Sequence, residues 1–191
     1  MTTRTLALGF ALLAAALATR PAHADSWVTP FRGHLSFGYA KLFIPDAPAG
    51  SLSFSAGVDH PLAETVRLGL DIDFNLLGTN TVNRGSLVAD VDYSTLELLA
   101  MFHWQPAWHG PLGRLSAGAG VMGARAAVNS SGAAEFQDLA VSQATPALAA
   151  EATLISRSSA PVKVGLETGV HVGFVTEQSW TVWDVRLAIH Y

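Results

Sequence analysis

The sequence predicts an all-β fold in which eight antiparallel strands close into an up-and-down barrel. One observation is that apolar and polar residues alternate through most of the chain, which is the two-residue period of a strand with one apolar face. A second is that half of the 191 residues are apolar, yet no run beyond residue 24 approaches the roughly 20 residues of a membrane helix. Strands with one apolar and one polar face are typical of barrels that cross a membrane. We therefore predict an eight-stranded antiparallel transmembrane β-barrel.

Residues 1–24 have the order of a cleaved secretory signal peptide. The cation Arg4 precedes the apolar run Leu6–Ala18, and the small-residue segment 22–24 follows. The apolar run is too short to span a bilayer as a helix. We expect cleavage after Ala24, so that residues 25–191 form one barrel domain. An uncleaved membrane anchor is the alternative.

The charge balance and the lack of cysteine narrow the class of protein. Eleven Lys and Arg stand against 15 Asp and Glu, a net charge of −4, so no basic surface for nucleic acid is expected. The chain has no cysteine, although an exported protein could form disulfides. A closed barrel in lipid needs none, because its backbone hydrogen bonds are complete in a dry medium.

The first three strands are predicted at about 31–43, 51–59 and 66–76, with a turn at 60–64 between the second and the third. Strand 3 shows the pattern best, because every even position from Val66 to Leu76 is apolar. Its odd positions include Arg67, Asp71 and Asp73. One face therefore meets lipid and the other lines the lumen.

Strands 4 and 5 are predicted at about 91–104 and 114–128, separated by a turn that contains two prolines. Strand 4 is irregular, since Val91 and Tyr93 are at odd positions while Leu96 and Leu98 are at even ones. A change of phase near Thr95 would be the effect of a β-bulge. Strand 5 has small and aliphatic residues on its outward face.

Strands 6 and 7 are predicted at about 143–156 and 162–175, with a turn at 157–161. Pro146 fits poorly inside strand 6, because strands tolerate proline mainly at their starts or at bulges. A start after Pro146 is therefore left open. Strand 8 ends at Tyr191, and its outward residues are Trp183, Val185, Leu187, Ile189 and Tyr191.

This last strand resembles the C-terminal signature of bacterial outer-membrane barrels, in which alternating apolar residues end on an aromatic residue. The resemblance implies that the barrel-assembly machinery recognises Trp183, Val185, Leu187, Ile189 and Tyr191. As a pattern, residues 25–191 also resemble small barrels of the outer membrane protein A, X and W types. That resemblance implies a monomer in the bacterial outer membrane, in contact with lipid and lipopolysaccharide.

An even number of strands places both ends of the chain on the same side of the membrane, the periplasm. Loops 44–50, 78–90, 129–142 and 176–179 then face the outside of the cell. Aromatic rings should collect at the two lipid–water interfaces. The outer set comprises Phe43, Phe54, Phe74, Tyr93, Phe174, Trp180 and Trp183, and the periplasmic set comprises Phe31, Phe102, Trp104, Trp108 and Tyr191.

A soluble barrel or β-sandwich exported to the periplasm is the structural alternative. Such a protein could hide the apolar rows between two sheets and leave the charged rows in water. Alternation alone does not exclude it. The terminal aromatic residue and the scarcity of charge in the strands favour the membrane.

Nine charged residues are predicted to line the lumen. The interior of an eight-stranded barrel is just wide enough for side chains to fill it, and buried charges must pair because an isolated one is very costly. Glu167 and Arg186 are plausible partners across strands 7 and 8. The predicted set is Arg67, Asp71, Asp73, Glu97, Arg114, Glu151, Lys163, Glu167 and Arg186.

Five histidines are predicted at the periplasmic end. His34, His103 and His190 should point inward, and His60 and His109 fall in turns. Imidazole binds transition metals, but no pair has a local ligand spacing. We therefore assign them as polar rim residues and predict no metal ligand.

The predicted function is an integral outer-membrane barrel with a structural or loop-display role and a lumen plugged by charges. One alternative is a narrow channel for small apolar or amphiphilic solutes. Another is a lipid-modifying enzyme, because His34-Leu35-Ser36 resembles part of the His-x-Ser-Asn arrangement of a lipid A deacylase. Phe37 stands where that pattern has Asn, and the side chains of His34 and Ser36 should face the lumen and not the lipid. We expect no enzymatic activity and no cofactor.

Overall fold

The computed structural model describes residues 31–84, 87–106, 112–130, 139–155, 162–175 and 179–191. The predicted signal peptide and the aromatic residue Trp108 lie outside these ranges. No helix in the described residues is long and apolar enough to cross a membrane. The described strands are β1 (Arg32–Phe43), β2 (Ser51–Ala63), β3 (Val66–Arg84), β4 (Leu87–Trp104), β5 (Leu112–Ser130), β6 (Leu139–Ile155), β7 (Lys163–Phe174) and β8 (Ser179–His190).

These strands form a closed barrel in which each strand pairs antiparallel with the next. β1 and β8 complete the ring over a register that runs from His34↔His190 to Phe43↔Thr181. Beyond it, the backbones of Gly33 and Tyr191 exchange two hydrogen bonds of 3.0 Å. The predicted fold is therefore confirmed, including the strand number and the up-and-down order.

Alternation along each strand separates an apolar exterior from a mostly polar interior. In β3, Leu70 and Ile72 are 49% and 46% exposed, whereas Asp71 and Asp73 are 1% and 0% exposed. Similar rows of exposed Val, Leu, Ile and Phe occur on the other strands. An apolar surface of this extent requires a lipid environment. The soluble alternative fails because the apolar rows are exposed and the charged rows are buried.

The strands differ in length. β3 to β6 have 17–19 residues, whereas β1, β2, β7 and β8 have 12 or 13. We call the end that holds Phe31 and Tyr191 the termini end and the opposite end the hairpin end. β3 to β6 continue past their neighbours at the hairpin end, and this part (residues 78–84, 87–93, 124–130 and 139–146) is called the extension.

The predicted loop 78–90 is thus largely strand, which corrects the sequence-based boundary. Its polar side chains bond to each other across β3 and β4. The Thr81 hydroxyl donates to the Asp90 carboxylate at 2.7 Å, and Thr79 makes the same contact with Asp92. Polar residues therefore continue the strands outside the apolar band, where hydropathy alone resembles that of a loop.

The β-bulge lies in β3 and not near Thr95 in β4. The β3–β4 register shifts between Leu76 and Gly78, so that Leu77 is the extra residue. β4 keeps one phase throughout, and Tyr93 therefore points inward. The hydropathy of β4 changes phase near Thr95 because Tyr93 is an aromatic residue that packs inside the lumen, and not because β4 has an extra residue there.

Pro146 lies inside β6, so the strand does not begin after it. Pairing of β6 with β7 begins at Ala147, and Pro146 is paired with Val121 of β5 alone. The Thr145 hydroxyl donates to the Phe174 carbonyl next to this point. Proline is tolerated because it sits where one side of β6 has become an edge. β2 likewise runs to Ala63, so His60 belongs to a strand and not to the predicted turn.

Part of the interior is apolar, which the sequence analysis did not anticipate. Tyr93 and Trp180, both predicted in the outer aromatic band, instead pack together inside with ring centroids 5.9 Å apart. Leu99 and Met101 also face inward and are fully buried. Five buried residues of this apolar cluster lie toward the hairpin end, and we call them the apolar cap: Leu42, Leu77, Met122, Trp180 and Val182.

Candidate functional site in the charged lumen

The barrel encloses a charged network between the termini end and the apolar cap. Among the described residues, seven acids and three arginines are buried, so acids outnumber arginines by four. Lys163 does not belong to this set. It is exposed at the first position of β7, where its ammonium group reaches water. The predicted lumen residues that are buried are Arg67, Asp71, Asp73, Glu97, Arg114, Glu151, Glu167 and Arg186.

Arg186 is the centre of the network. It faces Glu167 across β7 and β8, and their Nη2 and Oε1 atoms are 3.0 Å apart. The predicted pair is therefore present. The same guanidinium reaches Glu151 at 2.7 Å and Asp184 at 3.2 Å, and it donates to Asp73 across the barrel. One arginine thus contacts four carboxylates from four strands.

Glu167 also accepts hydrogen bonds from the termini end. Arg114 Nη2 donates to its Oε2 at 2.9 Å, and the hydroxyl of Thr153 donates to the same atom at 3.2 Å. The Ser36 hydroxyl lies 3.4 Å from the other oxygen. Glu167 therefore links Arg114 to Arg186. Ser36 points into the lumen, away from the lipid that a deacylase of the resembled type would act on.

His171 occupies the part of the network nearest the apolar cap. Its Nδ1 is 2.9 Å from Glu97 Oε2, and its Nε2 is 3.1 Å from Asp184 Oδ2. Nε2 is also 3.7 Å from Glu151. His171 and Asp184 were not included in the predicted network. Both lie on the inward phase of their strands, and that phase was the signal that could have identified them.

Three of the five predicted rim histidines do meet at the termini end. The ring of His34 is 5.6 Å from that of His190 and 6.4 Å from that of His103, measured between centroids. His34 Nε2 is 3.8 Å from Asp71. His60 is separate and packs against the ring of Phe31 at 5.2 Å. His109 lies outside the described residues.

A further ion pair, separate from those of Arg186 and Arg114, lies at the termini end of the network. The Arg67 side chain donates to the carboxylate of Asp59, its neighbour on β2. Asp59 was not predicted as a lumen charge, because the sequence analysis ended strand 2 at this residue. The longer β2 places it inside the barrel.

The outward residues of β8 form the predicted assembly signal. Leu187, Ile189 and Tyr191 are exposed, while Trp183 and Val185 are partly exposed on the same face. The ring of Tyr191 lies against Gly33, where a side chain would come within 2.6–2.7 Å of the ring atoms. Recognition by the assembly machinery stays a prediction.

Similar folds occur in known membrane proteins, whereas no protein-family model matches the sequence. No curated protein matches it either. The attachment invasion locus protein Ail of Yersinia pestis, solved with the heparin analogue sucrose octasulfate, has 10% identity and a TM-score of 0.57. The alignment covers 84% of this chain and 99% of Ail.

Two other outer-membrane barrels are similar to the same extent. Neisserial surface protein A has 14% identity and a TM-score of 0.56, and the alignment covers 84% of this chain and 95% of that one. A major outer membrane protein of Thermus thermophilus has 12% identity and a TM-score of 0.54, with 84% and 97% covered. At these identities the comparison establishes the fold. Together with the apolar exterior, it makes this protein an integral β-barrel of the bacterial outer membrane.

Proposed function

We propose that this barrel has a closed lumen and that it acts by displaying the extension at the cell surface. The observation that carries the proposal is the unequal strand length. Six or so additional residues per strand, at about 3.3 Å each, extend β3 to β6 by about 20 Å along the strands, or by about 15 Å along the barrel axis for strands tilted by about 40°. The even number of strands supports placing both termini in the periplasm, and the extension would then face the outside of the cell.

The filled interior supports a closed lumen. The ion pairs of Arg186 and Arg114 cross the barrel, and the apolar cap lies between them and the hairpin end. Ions would have to break buried ion pairs and then pass an apolar constriction, and each step is unfavourable. A structural role for the network follows from the same contacts.

The side chains of the extension are held in place by hydrogen bonds, as a recognition surface requires. Besides the Thr–Asp contacts of β3 and β4, Asn129 of β5 donates to Asp92 at 2.9 Å. Three strands are therefore cross-linked on one face by polar side chains. Asp90, Asp92 and the exposed Arg125 lie on that face, so the partner we expect there is a polar surface that can pair with charges of both signs.

A shortened barrel tests the display role. Residues 80–91 would be replaced by a two-residue turn that rejoins β3 and β4 near the Thr79–Asp92 pair. Adhesion of cells that carry the shortened protein should fall to the level of cells that lack it, while the heat-shift on a gel shows a folded barrel. A matched control replaces the turn at Glu64–Thr65, at the opposite end. Unchanged adhesion of the shortened protein would contradict the display role.

The second candidate function is a narrow channel, and unpaired buried polar atoms favour it. Both nitrogens of His34 and both oxygens of Asp71 lack hydrogen-bond partners among the described atoms, and water is the usual partner of such buried polar groups. Single-channel current across a planar bilayer separates the two functions. The proposed function predicts no discrete steps from the folded protein. Steps that change their ion selectivity in Glu167→Gln would establish the channel.

We further propose that the protein is a monomer without enzymatic activity and that the assembly machinery inserts it through β8. Lipopolysaccharide and phospholipid are then its constant partners, through the exposed apolar rows. The inward direction of His34 and Ser36 supports the absence of lipid chemistry at the resembled motif.

A further inference from the structure

The buried acids need more positive charge than the described side chains supply. Around Arg186 and Arg114 lie Asp73, Glu97, Glu151, Glu167 and Asp184, all at most 4% exposed. These five carboxylates face two arginines and one histidine. Uncompensated charge in a buried site is costly, and a bound metal ion is one of the ways in which proteins neutralise it.

Three side chains on the cap side of this network converge on one point. Asp73 and Glu97 are direct partners across β3 and β4, and His171 reaches them from β7 on the other side of the lumen. One ligand atom from each residue lies within 4.8 Å of the other two, and all three residues are buried. Ligands that surround one ion at about 2.0–2.2 Å have separations within this limit.

Each of the three groups has one atom held by a neighbour and another directed at the common point. Asp73 Oδ1 accepts from Arg186, whereas its Oδ2 is buried without a hydrogen-bond partner. Glu97 Oε1 is 3.4 Å from both Asn75 and Thr95, and its Oε2 is the atom that faces His171 Nδ1 at 2.9 Å. A separation of 2.9 Å suits two ligands of one ion as well as it suits a shared proton.

The second nitrogen of His171 supports the same assignment. Metal-binding histidines usually donate their other N–H to a carboxylate, which fixes the orientation of the ring. Nε2 of His171 is 3.1 Å from Asp184 Oδ2, close enough for an ion pair but outside hydrogen-bond geometry, so that a small turn of the ring would complete the bond. Gly169 makes this arrangement possible, because a Cβ there would lie 2.9 Å from Nε2 and 3.3 Å from Asp184 Oδ1.

We propose that Asp73, Glu97 and His171 bind one divalent transition-metal ion inside the barrel, with Asp184 as a positioning residue. One imidazole and two carboxylates suit Zn²⁺ or Mn²⁺ better than Ca²⁺ or Mg²⁺. The ion brings two positive charges to the acid-rich network and releases the proton shared by His171 and Glu97. The sequence analysis assigned no metal ligand, because these residues are far apart in the chain and show no local spacing.

The test measures Zn²⁺ binding by the untagged protein folded in detergent, with the metal present during folding. Competition with a chromophoric chelator gives the stoichiometry and the affinity. We expect one ion per barrel. Asp73→Asn and His171→Gln should each weaken binding by about 100-fold or more, and Asp184→Asn by about 10- to 100-fold.

His103→Gln is the matched control, because His103 is equally buried but lies among the histidines of the termini end. It should leave the affinity unchanged. If His171→Gln fails the heat-shift test of folding, X-ray absorption at the zinc edge of the unaltered protein replaces it and should show one imidazole among oxygen ligands. The proposal is overturned if the unaltered protein binds no stoichiometric Zn²⁺, if absorption shows no imidazole or several, or if only His103→Gln abolishes binding.

Discussion

Arg186 Nη2 and Glu167 Oε1 are 3.0 Å apart across β7 and β8, and neither side chain is exposed. The pair is not isolated, because Arg186 also contacts Asp73, Glu151 and Asp184. Glu167, for its part, is bonded to Arg114. The two residues are therefore the junction between two clusters of buried charge.

This junction makes the exchange of the two charges informative. Arg186→Glu leaves four carboxylates without their common partner, and we expect a loss of about 3–5 kcal/mol in the free energy of unfolding. In the double variant E167R/R186E, the new arginine faces Arg114 and the new glutamate faces three acids. We therefore expect the double variant to recover no stability, whereas exchange of the two charges in an isolated pair would restore it. Urea unfolding in detergent measures the free energy of unfolding of each variant. Full recovery in the double variant would show that the contacts of the pair with the surrounding charges are weak.

Leu98 and Leu99 are adjacent residues of β4 that face lipid and lumen respectively. Leu99→Ala should lower the free energy of unfolding by about 2–5 kcal/mol, because it leaves a cavity within the interior cluster. Leu98→Ala should cost clearly less, since lipid tails fill the space that it leaves. Urea unfolding of both variants in the same vesicles gives the comparison. Equal losses would argue against a packed apolar interior.

The apolar band predicts that the destabilisation caused by an outward-facing charge depends on its depth in the membrane. Ile72 lies near the middle of the band, and Leu62 is exposed near the turn at the termini end. Ile72→Arg should destabilise the barrel in lipid vesicles by about 2–4 kcal/mol, and Leu62→Arg by about 0–1 kcal/mol. The measurement is reversible unfolding in vesicles. Similar losses at the two positions would mean that the band has been assigned to the wrong residues.

Tyr191 has two contacts that can be separated experimentally. Its backbone completes the β1–β8 seam at Gly33, whereas its ring is the last residue of the predicted assembly signal. Tyr191→Ala keeps the backbone bonds, so we expect near-normal folding in detergent but a several-fold smaller amount of folded barrel in the outer membrane of cells. Heat-shift gels of both preparations provide the measurement. An equal yield in cells would exclude the ring as part of the signal.

Much of the fold could be predicted because each strand carries its own evidence. In β3 from Val66 to Leu76, and in β7 apart from Thr168, the apolar and polar faces alternate, and that pattern identifies the strand and its inward residues together. In β4, Leu99 and Met101 did not follow the rule that the interior is polar. Hydropathy cannot tell whether an apolar side chain meets lipid or other side chains. The boundary errors at residues 78–90 have a related cause, since strands that leave the membrane lose their apolar face.

Within the charged site, the pairing of two side chains could be predicted only when the two residues lie on neighbouring strands. Glu167 and Arg186 belong to consecutive strands, so their pairing follows from the order of the chain. His171 and Glu97 belong to β7 and β4, and they meet only because the closed sheet brings opposite walls together. Their contact depends on the shear of the barrel, which is not visible in local periodicity.

The unequal strand lengths make the barrel asymmetric around its axis, so that its two sides differ in height. The tall wall, β3 to β6, stands over one half of the rim, and the other half ends where β1, β2, β7 and β8 end. With the extension at the cell surface, as proposed above, a neighbouring protein that approaches the low side would meet lipid and sugar, whereas one that approaches the high side would meet a sheet. The surface that one barrel presents to a neighbour would therefore depend on its rotation about the membrane normal. In a crowded membrane, contacts between the extensions alone could then orient two barrels, without any contact between their transmembrane surfaces.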